Sequence, residues 1–532
     1  MKSIIFIVAM LLALNSQAQS TLKPAQPLKK DASVVFAETI TPERLKRHLM
    51  IIASDAMEGR ETGKPGLTKA AKYITGRLRN YHLPPFGTRD GEGKTQFEQP
   101  FSYHKERWGE KSISINGVLL NEKEYYAEIQ TNADLPLVDI DDILFLGYGI
   151  EDAQYNDYAG VDVKGKTIII LEGEPKRKNN NFVISNSSAP SKWTENEQLK
   201  YEAAYRHGAK LVFVINHSLP GAPPRLNRHW QLGEGIKPEE NLCNNIQITE
   251  NAAQQILGKK YKKLLKYRRK IQKKGKPKHF KAKTKIKAIL NIDRNFLYGA
   301  NLLTVIEGSD PKLKGEYVFI SAHYDHLGVR GKDVFNGADD NGSGTSSMIE
   351  IAHAFAQAKK AKMGPKRSIV FMWMAGEEKG LLGSEHYVAS PIVPLKSTVA
   401  DINIDMIGRV DDDHKGNPNY IYVIGADRLS TELDKIVKHA NTYTQLDLDY
   451  KYNADNDPNR FYYRSDHYNF AKNNIPSVFF FNGTHDDYHR PSDTVDKIDF
   501  EKMTKIAKLT FYTAWEIANR PERLKVDVTG RN

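Results

Sequence analysis

Residues 317–326 read YVFISAHYDH, a buried-strand pattern followed directly by a cluster of polar side chains. The apolar half is almost continuous, which is typical of a strand buried on both faces of a sheet. Similar apolar runs recur at 166–171, 211–215, 368–374, 400–406 and 477–482. Helical patterns lie between some of them, as at 345–358, and a further one follows the last run at 500–518. This alternation predicts an α/β sandwich with a largely parallel sheet.

The composition is that of an ordinary globular protein. The chain has 532 residues and a mass of 60.3 kDa, with 40% hydrophobic and 27% charged residues. These values exclude a wholly disordered, collagen-like or coiled-coil protein. Cys243 is the only cysteine in the sequence. Intrachain disulfides and zinc fingers built on thiolates are therefore excluded.

The formal net charge of +12 comes from one segment. Residues 259–287 hold 14 Lys and 2 Arg with no acidic residue, and the other 61 basic residues face 65 acidic ones. The run fits a solvated amphipathic helix followed by a lysine-edged strand, and contact with an anionic surface or nucleic acid is the alternative. Because the basic charge is local, we predict no nucleic-acid partner.

The first 18 residues have the pattern of a secretory leader. Lys2 precedes Ile4–Leu14, an apolar run of 11 residues, and small residues at Ser16 and Ala18 suit a signal peptidase. Such a run is too short to cross a bilayer, which takes about 20 apolar residues. We therefore predict cleavage after Ala18 and an exported protein, periplasmic or secreted, without an integral membrane anchor.

Polar motifs stand where the strand-like runs end, and each offers imidazole or carboxylate groups. They are SAHYDH at 321–326, NGADDNGSG at 336–344, MAGEE at 374–378, NIDM at 403–406 and, after a short loop, YHRPSDT at 488–494. Side chains at the carboxyl ends of parallel strands can converge on one site. Imidazole and carboxylate are the usual non-thiolate ligands of Zn²⁺, and two His with three acids exceed the needs of one catalytic zinc. The motifs therefore predict two metal ions about 3.5–4 Å apart that share a carboxylate and a water.

Several competing catalytic motifs are missing from the sequence. It contains no H-E-x-x-H and no G-x-S-x-G nucleophile elbow, and its glycine-rich stretch at 337–344 lacks the Gly-Lys-Ser/Thr of a phosphate loop. Each polar motif is weak by itself, since Asp-Asp-Asn-Gly is usually a turn and Glu-Glu often begins a helix. Their common place at strand ends is what predicts catalysis.

Together these residues resemble the co-catalytic zinc exopeptidases, a family that includes secreted bacterial leucyl aminopeptidases, glutamate carboxypeptidase and the non-catalytic transferrin receptor. The stretch 53–63, ASDAMEGRETG, is similar to the opening signature of exported members. Segments at 147–150, 163–170 and 208–212 resemble the protease-associated (PA) domain that many members carry. The resemblance implies a three-layer α/β/α zinc-peptidase fold with a central mixed, mostly parallel sheet, plus an inserted β-rich PA-like domain.

The resemblance also implies a domain order. The segments are a signal peptide at 1–18, the N-terminal part of the zinc peptidase domain at 19–104, the PA-like domain at 105–295, the catalytic part at 296–520 and a C-terminal tail at 521–532. The middle segment carries no constellation of His and acids, which supports an insertion.

Five side chains form the metal site that the resemblance implies. His323 and Asp405 would bind one Zn²⁺, Glu378 and His489 would bind the other, and Asp340 would bridge both. No position of this set is substituted, which is expected of an active enzyme rather than of a receptor-like descendant.

Other positions carry over as catalytic or substrate-binding residues. Glu377 would be the general base, and Asp325 would orient the imidazole two residues before it. Tyr488 would hold the reacting carbonyl oxygen, and Asp466 and His467 belong to a segment near the substrate pocket.

The predicted activity is hydrolysis of N-terminal peptide bonds by a di-zinc aminopeptidase that uses a metal-bridging water and a glutamate base. The expected partners are peptides or proteins with a free N-terminus. A carboxypeptidase acting on acidic dipeptides stays open, with Arg409, Arg464 and Arg490 as candidate clamps for a terminal carboxylate. A glutaminyl cyclase on one zinc and an exported, non-catalytic binding module stay open as well.

Overall fold

The computed structural model describes residues 32–128, 135–217, 219, 230–233 and 241–529, so the predicted leader lies outside the described residues. The strands are β1 (Glu98–Ile115), β2 (Val118–Leu119), β3 (Tyr125–Glu128), β4 (Leu135–Phe145), β5 (Thr167–Leu171), β6 (Leu211–Ile215), β7 (Gln231–Leu232), β8 (Asn245–Ile248), β9 (Phe280–Ile306), β10 (Tyr317–His323), β11 (Gly328–Arg330), β12 (Asp333–Phe335), β13 (Ser368–Met374), β14 (Thr398–Ile404), β15 (Tyr420–Ile424), β16 (Asp447–Asp449) and β17 (Ser477–Phe481). The α-helices are α1 (Ala32–Ala37), α2 (Pro42–Ile52), α3 (Pro65–Asn80), α4 (Lys192–Glu195), α5 (Gln198–Arg206), α6 (Glu250–Leu257), α7 (Tyr261–Lys274), α8 (Gly344–Lys360), α9 (Leu382–Ala389), α10 (Thr431–Ala440), α11 (His467–Ala471) and α12 (Phe500–Asn519). Within the described ranges, none of these helices has both the length and the apolarity that a bilayer crossing requires.

The chain forms two compact units. The first comprises the described residues up to Pro100 together with those from Gly299 onward, and the second comprises Phe101–Tyr298. The second unit is thus inserted into the chain of the first.

The first unit is built on a mixed sheet with the strand order β16-β15-β17-β14-β10-β13-β9. Strands β17, β14, β10 and β13 are parallel to one another, whereas β15 and the end of β9 run antiparallel to their neighbours. Every residue of β13, β14 and β17 is buried. The predicted central, mostly parallel sheet is therefore confirmed. The strand predicted at 400–406 lies two residues earlier in the structure, at Thr398–Ile404.

Helices cover both faces of this sheet. On one face, the ring of Phe371 in β13 lies 6.1 Å from the ring of Phe355 in α8. Successive strand residues point to opposite faces, and the next residue, Met372, belongs to a different apolar cluster with Tyr387 of α9 and Phe470 of α11. The helix–sheet–helix layering predicted for the catalytic part is present, and the helices predicted at 345–358 and 500–518 are α8 and α12.

In the second unit, the strands are hydrogen-bonded in the order β9-β4-β5-β6-β8-β3. Strands β4, β5, β6 and β8 are parallel, and the first part of β9 and β3 close the two ends in antiparallel pairing. All residues of β5 and β6 are buried, in agreement with the apolar runs at 166–171 and 211–215. The pairing of β9 with β4 was not predicted, since it joins segments more than 100 residues apart.

The basic run forms helix α7 and the first part of β9. Four lysines at alternate positions from 281 to 287 are exposed, and the residues between them are buried. In the antiparallel register Lys283 lies opposite Asp142, and Lys287 lies opposite Asp139. Opposite charges facing each other across strands contribute about 0.2–1 kcal/mol each. The lysine-edged strand predicted from the sequence is thus partly balanced by aspartates of β4.

Cys243 should be unreactive in the folded protein. Its Sγ donates to the carbonyl oxygen of Ala209 at 3.4 Å, and burial raises the pKa of the thiol to about 12. Because the thiolate is the reactive form, we expect a thiol reagent at pH 8 to label the native chain slowly and to label one thiol at once in denaturant. Ser188→Cys, at an exposed position, is the control and should react in the native state. Rapid labelling of the native protein without the Ser188→Cys substitution would show that the apolar core around Cys243 opens readily.

Candidate metal centre

Neighbouring parallel strands deliver the polar motifs to one edge of the sheet. Strand β10 ends at His323, which stands in register with Met374, the last residue of β13, and β14 lies on the other side of β10. Because the strands are parallel, the loops that follow them begin at the same edge. These loops carry Asp325, Glu377–Glu378 and Asp405, so residues predicted from separate motifs are brought together.

One group of candidate metal ligands consists of His323, Glu377 and Asp405. The Nε2 atom of His323 lies 3.1 Å from Oδ1 of Asp405 and 3.9 Å from Oε2 of Glu377. The other carboxylate oxygen of Asp405 accepts a hydrogen bond from Ser465 Oγ at 2.9 Å. This contact orients the carboxylate toward the imidazole, and the group can offer a cation one nitrogen and two oxygens.

A second group consists of His326, Asp340 and Glu378, and His489 joins it. The Nε2 atom of His489 lies 3.1 Å from Oδ2 of Asp340 and 3.2 Å from Oε2 of Glu378. The Nδ1 atom of His326 lies 2.8 Å from Oε1 of Glu378 but 3.8 Å from Asp340. His489 therefore contacts both carboxylates, whereas His326 chiefly contacts Glu378.

Asp340 lies between the two groups. Its Oδ1 is 3.4 Å from Nε2 of His323, and its Oδ2 is 3.1 Å from Nε2 of His489. Ligands bonded at about 2.0–2.1 Å to a tetrahedral metal stand roughly 3.3 Å from one another. Both separations therefore suit ligands that share a cation, and one carboxylate can serve two cations through its two oxygens.

The backbone around Asp340 is held in place by buried polar contacts. The carboxylate of Asp493 accepts a hydrogen bond from the N–H of Asp340 at 3.1 Å, and the side-chain amide of Asn341 donates to the carbonyl of Ile404 at 2.9 Å. A Cβ atom added at Gly344 would lie 2.4 Å from Oδ1 of Asn341 and 2.6 Å from the carbonyl oxygen of Ile404. Only glycine fits there, so the glycine-rich motif serves close packing beneath the site.

The titration of the site reflects an excess of buried carboxylates. Burial alone lowers the pKa of His489, but its contacts with Asp340 and Glu378 raise it overall to about 10. The pKa of His323 rises for the same reason, because nearby carboxylates outweigh the effect of burial. Burial raises the pKa of Glu377 well above its usual range, since a desolvated carboxyl favours its neutral form. Cations are therefore attracted here, and metal binding competes with protons for the imidazole nitrogens.

Asp325 is held from two sides. The closest contact of His323 Nδ1 is the backbone oxygen of Asp325 at 3.2 Å, and the carboxylate oxygen Oδ1 lies at 3.6 Å. The carboxylate itself accepts hydrogen bonds from Oγ1 of Thr62 at 2.8 Å and from the N–H of Glu377 at 3.2 Å. The backbone oxygen or Oδ1 of Asp325 can accept a hydrogen bond from Nδ1–H of His323. The other ring nitrogen, Nε2, is then free to bind a cation.

Sequence reasoning missed the role of Arg60, which ties the loops of the site together. The guanidinium is fully buried, and burial lowers its pKa to about 10, so it stays protonated at neutral pH. It donates to the carbonyl oxygens of Ile52 at 2.8 Å, Tyr324 at 3.0 Å, Asn336 at 2.7 Å and Gly337 at 3.0 Å. In the sequence, Arg60 was notable only because it lies in the 53–63 stretch that resembles the family signature. That resemblance did not indicate what its side chain does.

His326 was also left without a role. It belongs to the SAHYDH motif, but its position one residue after Asp325 did not indicate whether it binds a metal or supports a ligand. The structure places its imidazole against Glu378 in a buried position. It therefore orients that carboxylate.

Thr62→Val should weaken metal binding. The Thr62 hydroxyl donates to Asp325 and accepts from the N–H of Gly376 at 3.0 Å, and valine keeps the shape while losing both bonds. Loss of a partner that orients a metal ligand typically costs 10–100-fold in affinity. Thr62 holds such a partner, Asp325, rather than a ligand, so we expect a loss of up to about 10-fold in a titration against a chelating competitor. Thr68→Val, at an exposed position of α3, is the matched control. Equal affinities of the two variants would contradict this role of Thr62.

An open cavity lies beside the two ligand groups. Its walls combine three carboxylates, four apolar side chains and three other polar residues: Asp340, Glu377, Asp405, Met406, Phe461, Phe479, Phe481, Arg464, Thr484 and Tyr488. An apolar wall next to a polar reaction centre is typical of a substrate pocket.

Tyr488, which the resemblance places near the reacting carbonyl, is one of the residues that line this cavity. Its ring stacks on the ring of His489 at 3.9 Å between centroids, and its hydroxyl lies 3.3 Å from a guanidinium nitrogen of Arg464. Tyr488 and Arg464 therefore line the same cavity as the carboxylates of Asp340, Glu377 and Asp405.

Asp466 and His467 do not line the cavity. Asp466 is buried and accepts a hydrogen bond from the hydroxyl of Ser384. The ring of His467 stacks on Phe479 at 4.8 Å, and burial lowers its pKa to about 3, so the ring is neutral. His467 thus supports the cavity wall through Phe479.

Residues 301–514, which carry both ligand groups, match the model described as Peptidase family M28. For this part of the chain, the match confirms the resemblance to the co-catalytic zinc exopeptidases. A probable leucine aminopeptidase of Arthroderma otae is 34% identical over 224 residues, which are 41% of this chain and 57% of that protein. The chain spans less than two thirds of the length of such relatives.

Two solved structures are similar along most of the chain. An aminopeptidase from Aneurinibacillus sp. strain AM-1 is 19% identical with a TM-score of 0.46, and the match covers 94% of this chain and 98% of that one. A zinc aminopeptidase from Bacillus subtilis is 19% identical with a TM-score of 0.44, and the match covers 93% of this chain and 99% of that one.

Proposed function

We propose that the protein is an exported zinc-dependent aminopeptidase that hydrolyses the N-terminal peptide bond of peptides. The observation that carries this proposal is the position of Asp340 between two ligand groups. One of its carboxylate oxygens faces His323, the other faces His489, and Asp340 also lines the cavity. The names of the curated relatives support the same activity.

Two Zn²⁺ ions are the cofactors that suit the donor set. Imidazole nitrogens and carboxylate oxygens without thiolates are typical of catalytic zinc. His323 and Asp405 would hold one ion, His489 and Glu378 would hold the other, and Asp340 would contact both. His326 would act through Glu378 rather than on an ion directly.

The chain itself supplies the proton transfer. When bound, the two ions would supply the Lewis acidity that activates water and polarises the scissile carbonyl. Glu377 lines the cavity and would take a proton from the attacking water and pass it to the leaving amine. The hydrogen bond from its N–H to Asp325 fixes the base relative to His323. The hydroxyl of Tyr488 would donate a hydrogen bond to the carbonyl oxygen and keep its proton.

The cavity suits a free N-terminus and an apolar first side chain. Carboxylates of the site line it and attract a protonated amine, while Met406, Phe461 and Phe479 offer apolar contact. An acetylated terminus carries no charge and would lose the attraction. The substrates are therefore expected to be peptides with an unblocked N-terminus.

We also propose that the second unit is a PA-like domain and that residues 1–18 direct export. The support for the domain is the GYGI, VKGKTIII and GAKLV segments, which lie at or beside the buried parallel strands β5 and β6. The support for export is the charge and apolar pattern of the leader.

The aminopeptidase proposal is tested with paired peptides. A leucine-initiated peptide with a free N-terminus and its acetylated counterpart are incubated with the zinc-loaded protein, with and without a chelator. We expect cleavage of the free peptide alone, loss of activity with the chelator and recovery on adding Zn²⁺. Cleavage of both peptides, or of neither, would contradict the proposal.

One observation favours a carboxypeptidase as the second candidate. Arg464 lines the cavity and has no carboxylate partner within the described ranges, whereas Arg409 is bound by Asp487 at 2.8 Å and Arg490 does not line the cavity. Arginine is suited to binding a terminal carboxylate. The same peptide with an amidated C-terminus separates the two, because only a carboxypeptidase would lose it as a substrate.

A further inference from the structure

Helix α7 presents a straight line of positive charge to solvent. Lys262, Lys266, Arg269 and Lys273 are all exposed and follow one another at intervals of four, three and four residues. These intervals place side chains on one side of a helix. We refer to these four residues as the basic stripe, and at 1.5 Å per residue it is about 17 Å long.

The opposite side of α7 is fixed to the second unit. Leu264 and Ile271 are buried in the core of this unit, and Tyr261, Leu265 and Tyr267 pack against it. The helix ends at Gly275, which adopts a left-handed conformation with φ of +62°. Because the apolar face is occupied, α7 cannot insert into a bilayer, and only its charged face is available to a partner.

The stripe has no carboxylate neighbours in the part of the chain that the structure describes. Lysines 283 and 287 on β9 face aspartates in register, and Arg268, on another side of α7, lies 3.4 Å from Glu250. No ion pair involves a residue of the basic stripe among the described residues. Like charges at intervals of three and four residues repel one another on a helix, so an anionic partner would relieve a local repulsion.

The charge of the rest of the chain makes the basic stripe the main site of attraction to an anionic surface. Outside residues 259–287, acidic residues outnumber basic ones, 65 to 61. An anionic surface would therefore attract the protein mainly through this segment, so that the protein docks in one orientation.

We propose that the basic stripe docks the protein on an anionic lipid surface. The stripe is a straight line of exposed cations on a firmly packed helix, so all four can face an array of anionic headgroups at once. Binding of single-stranded nucleic acid usually combines cations with exposed rings for stacking, and the two tyrosines of α7 pack against the core instead. Each cation close to an anionic bilayer strengthens binding several-fold. This proposal is independent of the proposed peptidase activity.

The test compares vesicle binding of the full-length zinc-loaded protein and of two variants with equal charge change. One variant is K262E/K266E/R269E/K273E, and the control is K72E/K312E/K396E/K472E, which changes exposed lysines of the first unit. Binding to vesicles of phosphatidylglycerol and phosphatidylcholine, and of phosphatidylcholine alone, is measured by co-sedimentation at low and at physiological salt. We expect binding to the anionic vesicles only, weakened by salt, and at least 10-fold weaker binding of the stripe variant than of the control.

Three results would overturn the proposal. They are equal loss of binding in the two variants, binding by the unmodified protein that does not depend on anionic lipid, and tighter binding to a single-stranded or duplex oligonucleotide than to the vesicles at equal salt. The circular dichroism spectrum and melting temperature verify folding of each variant. If the glutamate variant unfolds, K262Q/K266Q/R269Q/K273Q keeps the helix and should still lose most of the binding.

Discussion

Glu377→Gln is expected to lower kcat by about 10²–10⁴-fold, the range that a positioned acid–base residue supplies. The amide keeps the size of the side chain and its place in the cavity wall but cannot accept the proton from water. Because the five proposed ligands remain, zinc content should stay close to that of the unmodified protein. The measurement is steady-state hydrolysis of the free peptide together with the metal content after dialysis.

Two controls separate proton transfer from metal binding at this site. Glu378→Gln changes a proposed ligand, so zinc affinity should fall first and activity should follow it. Glu385→Gln, on α9, makes the same chemical change outside the site and should leave both properties near their starting values. Unchanged turnover of Glu377→Gln, or loss of zinc equal to that of Glu378→Gln, would exclude Glu377 as the base.

Arg60→Ala is expected to lower the free energy of unfolding of the first unit by at least about 3 kcal/mol. The substitution removes four buried hydrogen bonds, each with a net contribution of about 1 kcal/mol or more when the donor is charged. It also leaves the carbonyls of Tyr324 and Gly337 without the donor that joins them. Denaturant unfolding with and without zinc identifies the transition of the first unit, because a bound ligand shifts that transition.

Arg47→Ala is the matched control for this prediction. Arg47 lies on α2 and is exposed, so its removal should change stability by no more than about 0.5 kcal/mol. Arg60→Lys retains the charge but not the planar fork that reaches several carbonyls, and we expect an intermediate loss. Equal stability of the Arg47 and Arg60 variants would show that the loops are held by other contacts.

Much of the fold and of the site could be predicted because the signals are local. The apolar runs at 317–322, 368–374 and 477–482 form the buried strands β10, β13 and β17, since a strand buried on both faces needs an almost unbroken apolar run. Motifs at the ends of such strands meet at one edge of a parallel sheet. His323, Glu377 and Asp405 come from three of these motifs, and they form one group of candidate ligands.

Other features could not be predicted because they depend on contacts between distant segments. Asp466 and His467 belong to a segment that the resemblance places near the substrate pocket, yet they are buried and do not line the cavity, whereas Phe461 and Arg464 line it. The register that sets Lys283 opposite Asp142 depends on how β9 pairs with β4. No local pattern encodes either outcome.

The α/β architecture, the presence of an acidic and imidazole-rich site and the location of the basic charge could all be inferred from local sequence. Periodicity and residue type act over a few neighbouring positions, and those properties follow from them. The tertiary structure alone decided which side chains hold the site in place. Thr62 and Arg60 contact Asp325 and Tyr324 from 263 and 264 positions away, respectively, and only the folded chain brings such residues within hydrogen-bonding distance.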